Sequence, residues 1–113
     1  MSTGKVKLRR EVFNAVNTYM EHLQKTYSEN SDKSIVAEQM IRDFANSLSI
    51  KRDKQFTRVF VRGSVHSFIV MEDQGKLKRG DILKCLSRVK PDTSFVHGNV
   101  LEDRYEKISW TGV

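Results

Sequence analysis

A chain of 113 residues, 38% hydrophobic and 30% charged, is long enough for one core, too short for two, and too apolar for intrinsic disorder. The single cysteine, Cys85, excludes an internal disulfide, and no apolar run approaches the roughly eighteen residues of a membrane-spanning helix. The N-terminal MSTGKVKLRR lacks the apolar stretch of a secretory signal, so the reading is of a soluble, intracellular, single-domain protein over residues 1–113.

The first half reads as helical. Phe13, Val16, Met20, Leu23 and Tyr27 recur at steps of three and four, with Val12 and Tyr19 widening the stripe, which predicts a helix over about Leu8 to Tyr27. SENSDKS follows as a loop of small polar residues, with Ser31 or Asp32 as the N-cap of a second helix. In that helix Val36, Met40, Phe44 and Leu48 step by four, so residues 1–50 are expected to form an antiparallel helical hairpin. The first stripe is broad enough to cover both a sheet and a second copy, which makes a homodimer through the first helix an expectation.

From residue 51 the texture changes. KRDK reads as a polar basic turn, and β-branched and aromatic residues then run to Met71, broken by Gly63, as two strands joined near Arg62-Gly63-Ser64. MEDQGKLKRGD reads as a loop, Asp81 to Leu86 as a third strand, and SFVHGNVL as a fourth, with Tyr105, Ile108 and Trp110 anchoring the tail. The fold class is therefore α+β: an N-terminal helical hairpin on a 3–4-stranded antiparallel sheet, its apolar stripe set against Val59, Val61, Ile69, Ile82 and Leu86.

Charge is concentrated in the middle of the chain. Residues 51–90 carry eleven Lys or Arg against four Asp or Glu, whereas residues 1–50 are nearly neutral and residues 91–113 slightly acidic. A concentrated surplus attracts polyanions, of which nucleic acid is the commonest. Within QFTRVFVRG, strand alternation places Phe56, Arg58, Phe60 and Arg62 on one face, opposite Thr57, Val59 and Val61. Either the phenylalanines are half-exposed platforms for bases flanked by cations that meet phosphate, or they are buried and only the arginines reach solvent. The residues expected to bind nucleic acid are Lys51, Arg52, Lys54, Arg58, Arg62, Lys76, Lys78, Arg79, Lys84 and Arg88 as cations, with Phe60 as the stacking residue. DNA and RNA fit this pattern equally. The rival reading is a structural or interaction subunit whose basic face meets an acidic protein surface.

Chemistry for catalysis is not legible. His22, His66, His97 and Cys85 show no CxxC or HExxH spacing, so no metal is expected. The glycines make neither a GxxxxGK[ST] loop nor a GxGxxG turn, and the carboxylates sit beside Lys or Arg as surface pairs. No nucleophile, orienting group and oxyanion donor can be assembled, so a non-enzymatic protein without a cofactor is expected.

VHSFI at Val65 to Ile69, GDILK at Gly80 to Lys84, Pro91 and HGNVL at His97 to Leu101 follow one another in an order that resembles the C-terminal part of small uncharacterised proteins of bacteriophages and other DNA viruses. This chain departs from that pattern in the longer QGKLKR loop before Gly80. The resemblance implies a viral origin, a non-enzymatic role and a place in the host cytoplasm or nucleus or in a virion. Gly80-Asp81 and Gly98-Asn99 in these blocks read as turn residues.

Overall fold

The computed structural model describes residues 2–29 and 35–113. Helix α1 spans Ser2–Glu29 and α2 Ile35–Ser47, followed by strands β1 (Leu48–Arg52), β2 (Phe56–Val61), β3 (Ser64–Val70), β4 (Asp81–Leu83) and β5 (Gly98–Asn99). The strands form one antiparallel sheet in the order β1-β2-β3-β4-β5. The α+β class is as the sequence predicts, with five strands in place of three or four. The expected Ser31 or Asp32 cap and the side chain of Val36 lie outside the described residues.

Helix α1 starts six residues before the predicted Leu8, Gly4 notwithstanding, since the segment holds no proline and its apolar stripe begins later. From Val12 onward the stripe works as its spacing dictates. Val12, Val16, Tyr19 and Leu23 are fully buried against Val59, Ile69, Met71 and Ile82 of the sheet region, and Val100, Tyr105 and Ile108 of the tail complete this core. Leu86, expected in the same core, is instead 70% exposed, because β4 ends at Leu83 and the chain leaves the sheet there.

The two helices meet where Tyr27 stacks on Phe44 at 4.3 Å, and Trp110 packs edge-on to both rings. Residues Leu48 to Arg52, read partly as helix and partly as turn, are strand β1. Its register pairs Lys51 with Arg58 and Arg52 with Thr57. Directly paired residues share a face, so Lys51 points away from α1 while Ile50 and Arg52 point toward it.

The sheet face away from α1 has a core of its own. Phe68, Val70, Leu77 and Leu83 are buried there, with Phe56, Val65, Cys85 and Val96 packed against them. Residues 84–97, between β4 and β5, cross this face, so the phenylalanines of β2 are covered by this segment rather than by helices. Phe56 packs edge-on to Phe68 at 5.9 Å, and Phe60 is 9% exposed.

A bulge in β3 adjusts the alternation. Val59 pairs with Ser67 but the next residue, Phe60, pairs with Val65, which leaves His66 as the extra residue. His66 and Ser67 are consecutive, yet both turn toward α1, where the Tyr19 hydroxyl lies 3.0 Å from Ser67 Oγ and 3.4 Å from His66 Nδ1. The Ser109 carbonyl, 2.8 Å from His66 Nε2, can only accept, so Nε2 carries the proton and Nδ1 accepts from a hydroxyl.

Candidate nucleic-acid interface

The eleven residues expected to bind nucleic acid do not share one surface. Five gather at the end of the sheet formed by the β1–β2 turn and the loop from Glu72 to Gly80. Arg52 and Lys54 come from the turn region and Lys76, Lys78 and Arg79 from the loop. Main-chain hydrogen bonds from Met71 N to the Gln55 carbonyl and from Gly80 N to the Val70 carbonyl hold these two segments at the same end.

Arg58 is a correction. It is 8% exposed, its Nη1 donates to the Arg88 carbonyl at 3.0 Å, its Nη2 lies 3.6 Å from Asp53 Oδ2, and its guanidinium sits 5.6 Å over the Phe60 ring. Its Nε is buried without a partner. A guanidinium held in this way is closed to phosphate, and the buried Phe60 beneath it offers no open face to a base. Strand alternation does place these two residues on one face, and the segment of residues 84–97 crosses over them and closes it.

Arg62 is exposed as expected, but it does not share the face of Arg58 and Phe60. At the β2–β3 turn its φ of 52° takes it out of the strand and onto the helix side. There Nη2 donates to the Tyr27 hydroxyl at 3.3 Å, and the guanidinium lies 5.7 to 5.9 Å from the Tyr27, Phe44 and Trp110 ring centres. It therefore lies at the opposite end of the sheet, as does Lys84, which lines a cleft of about 560 Å³ with Val61, His66, Cys85 and Trp110. Lys51 and Arg88 are exposed on the face away from α1. The expected single basic face is thus divided among an end, a face and the opposite end, because strand pairing distributes neighbours in sequence over both sides of the sheet.

A further group of guanidiniums brings in residues from the nearly neutral first half of the chain. Arg9, Arg10, Phe13 and Arg52 line a groove of about 440 Å³ beside the β1–β2 turn. Arg9 is fixed as a wall of it. Its Nη1 donates to the Lys54 carbonyl at 3.0 Å, its Nη2 to the Asp53 carbonyl at 3.3 Å, and Glu72 lies 3.6 Å away. Arg10 is exposed and has no ion-pair partner among the described residues. Arg52, also exposed, lies with its guanidinium 4.6 Å over the Phe13 ring centre. Among the described residues, no carboxylate lines the groove. Arg9 and Arg10 precede Phe13 by four and three residues on a helix, a spacing that puts them on one face and that the sequence did contain. The near-neutral charge of the first half concealed it.

Arg79 reaches away from this groove toward Glu11, 3.7 Å from its carboxylate. The hairpin that carries it is locked by Asn99. Its Nδ2 donates to the Asp81 carboxylate at 2.9 Å and the Arg79 carbonyl at 3.1 Å, and its Oδ1 accepts from the amides of Leu101 and Glu102. Burial pushes the Tyr19 phenol well above its usual range and holds the His66 imidazole below its own. Both groups belong to the core network, and Ser67 beside them is fully buried. Among the described residues, no three His, Cys, Asp or Glu side chains come together to hold a metal, and no helix is long and apolar enough to cross a membrane.

The fold and site define an α+β domain with an arginine-lined groove between the N-terminal half of its first helix and the end of β1. Comparison with protein-family models, with curated proteins and with solved structures finds no match to this chain.

Proposed function

We propose that this chain is a non-enzymatic nucleic-acid-binding module, of viral origin, that holds the phosphate backbone at the Arg9, Arg10 and Arg52 groove with little sequence selectivity. The observation that carries this reading is the convergence of three guanidiniums around Phe13, with no carboxylate among the described lining residues. Guanidinium groups match phosphate geometry and stay charged at any working pH. Lys54, Lys76 and Lys78, exposed at the same end of the sheet, extend the positive surface.

Binding of this kind releases counterions. Affinity for a mixed-sequence oligonucleotide is expected to fall between about 50 and 200 mM salt by about 40- to 150-fold for a duplex, or about 20- to 50-fold for a single strand, if three to four phosphates are neutralised. Arg10→Glu with Arg52→Glu should abolish binding to any sequence about equally, while Lys84→Glu, at the opposite end of the sheet, should leave most of it. A flat salt response overturns the proposal.

A second reading, an interaction subunit docking on an acidic protein surface, is favoured by the segment of residues 84–97. Leu86, Val89 and Phe95 are 70%, 71% and 63% exposed there, beside Lys84, Arg88 and Lys90. Large apolar side chains exposed among cations suit a partner that is both acidic and apolar. This reading expects a stoichiometric partner that is lost with Leu86→Ser plus Val89→Ser and kept with Arg10→Glu plus Arg52→Glu. A homodimer through α1 would rest on Phe13 and Met20, the members of the stripe that are only half-buried.

A further inference from the structure

We infer that the groove takes an unpaired nucleotide, with a base stacked on the outer face of Arg52 and its phosphate on Arg10; the inference rests on the nucleic-acid reading above. Arg52 is the pivot. One face of its guanidinium lies on Phe13 at 4.6 Å, and the residue is otherwise exposed, so the opposite face of a flat, delocalised cation is turned to solvent. Such a face is a stacking surface for any nucleobase.

The partner beneath it is well supported. Phe13 packs on the main core through its helix, so the ring under the Arg52 guanidinium is a fixed floor. Arg52 is held in β1 by pairing with Thr57, and Arg9 closes the side of the groove by its bonds to the Asp53 and Lys54 carbonyls. Preorganisation of this kind lowers the entropy lost on binding. Arg10, three residues before Phe13 on the same helix and without an ion-pair partner among the described residues, is the cation left to meet a phosphate.

Strand type follows from access. In a duplex both faces of a base are covered by its neighbours, and only phosphate and groove edges are offered to the protein. A concave site of about 440 Å³ floored by a ring and a guanidinium uses the face of the base, which only an unpaired nucleotide presents.

The test measures binding of a fluorescent mixed-sequence single strand, the matching duplex, a single strand with abasic positions, and a free mononucleotide, at one low salt concentration. The single strand is expected to bind more tightly than the duplex or the abasic strand by about five- to a hundredfold. Arg52→Lys, which keeps the charge and loses the plane, should remove most of that difference while leaving the salt slope and the thermal melt unchanged. Salt-dependent binding that is equal for all strands and insensitive to Arg52→Lys overturns this inference and leaves the phosphate-binding reading standing. A mononucleotide bound as tightly as the strand overturns strand recognition, and no salt-dependent binding of any probe overturns both.

Discussion

Arg58 Nη1 donates to the main-chain carbonyl of Arg88 at 3.0 Å, so a guanidinium buried on the sheet ties down the segment that crosses it. Asp53 supplies part of its countercharge at 3.6 Å, and its Nε is left unpartnered. Burying such a group costs more than a well-packed apolar side chain of the same length. Arg58→Met, which keeps the stem over Phe60, is therefore expected to leave stability within about 1 kcal/mol of the parent or raise it. Arg58→Ala, which also removes the packing, should lose about 2 to 3 kcal/mol. Urea unfolding distinguishes the two, and oligonucleotide binding should be unchanged in the Met variant.

Asn99 is expected to be the most sensitive polar residue in the chain. It is buried and uses both ends of its amide, donating to Asp81 and to the Arg79 carbonyl while accepting from two main-chain amides. Asn99→Ala strands these partners and should cost about 2 to 3 kcal/mol in chemical denaturation. Asn99→Asp keeps the shape but sets a second carboxylate against Asp81, and should be worse than Ala at neutral pH.

Gly98 and Gly75 should respond in opposite ways to a side chain. A Cβ on Gly98 would run into the main-chain carbonyl of Arg104, which cannot move without breaking the Asn99 pairing with Arg104. Gly98→Ala is expected to destabilise by about 3 kcal/mol or more, read as a drop in melting temperature. Gly75 sits at φ 58° with open space around it, a conformation asparagine tolerates. Gly75→Asn should cost under about 1 kcal/mol.

His66 makes stability depend on pH. Burial holds its imidazole below the ordinary 6.5, so the folded chain favours the neutral form while the unfolded chain takes up a proton near 6.5. The unfolded state then binds more protons as pH falls, and the stabilisation present above pH 6.5 is lost progressively below it. Unfolding free energy measured from pH 7.5 down to 5 should decrease, and His66→Phe should flatten that part of the profile. An unchanged slope in the variant would assign the pH dependence to other groups.

The elements whose residues repeat with a clear period were legible without a structure. Val12, Val16, Tyr19 and Leu23 at steps of three and four wrote α1, and the β-branched runs on either side of Gly63 wrote β2 and β3. The anchoring of Tyr105, Ile108 and Trp110 was also readable, because large apolar side chains in a polar tail seek a core. Strand β1 was not legible, since Leu48 continues the helical stripe of α2 and Lys51-Arg52 looks like a turn until β2 is there to pair with it. Gly98 was read as a turn residue, but it lies in β5, where it is needed for the close approach of the Arg104 carbonyl.

For the site, local pattern determined the types of residue and tertiary pairing decided their roles. Alternation along β2 grouped Arg58 with Phe60, yet nothing local says that residues 84–97 return to cover them. The charge count pointed to the middle of the chain, whereas the groove joins Arg52 from that segment to Arg9 and Arg10 more than forty residues earlier. Periodicity along a chain encodes which side of its own element a residue takes; which elements then meet depends on contacts between distant segments, and those exist only once the core has formed.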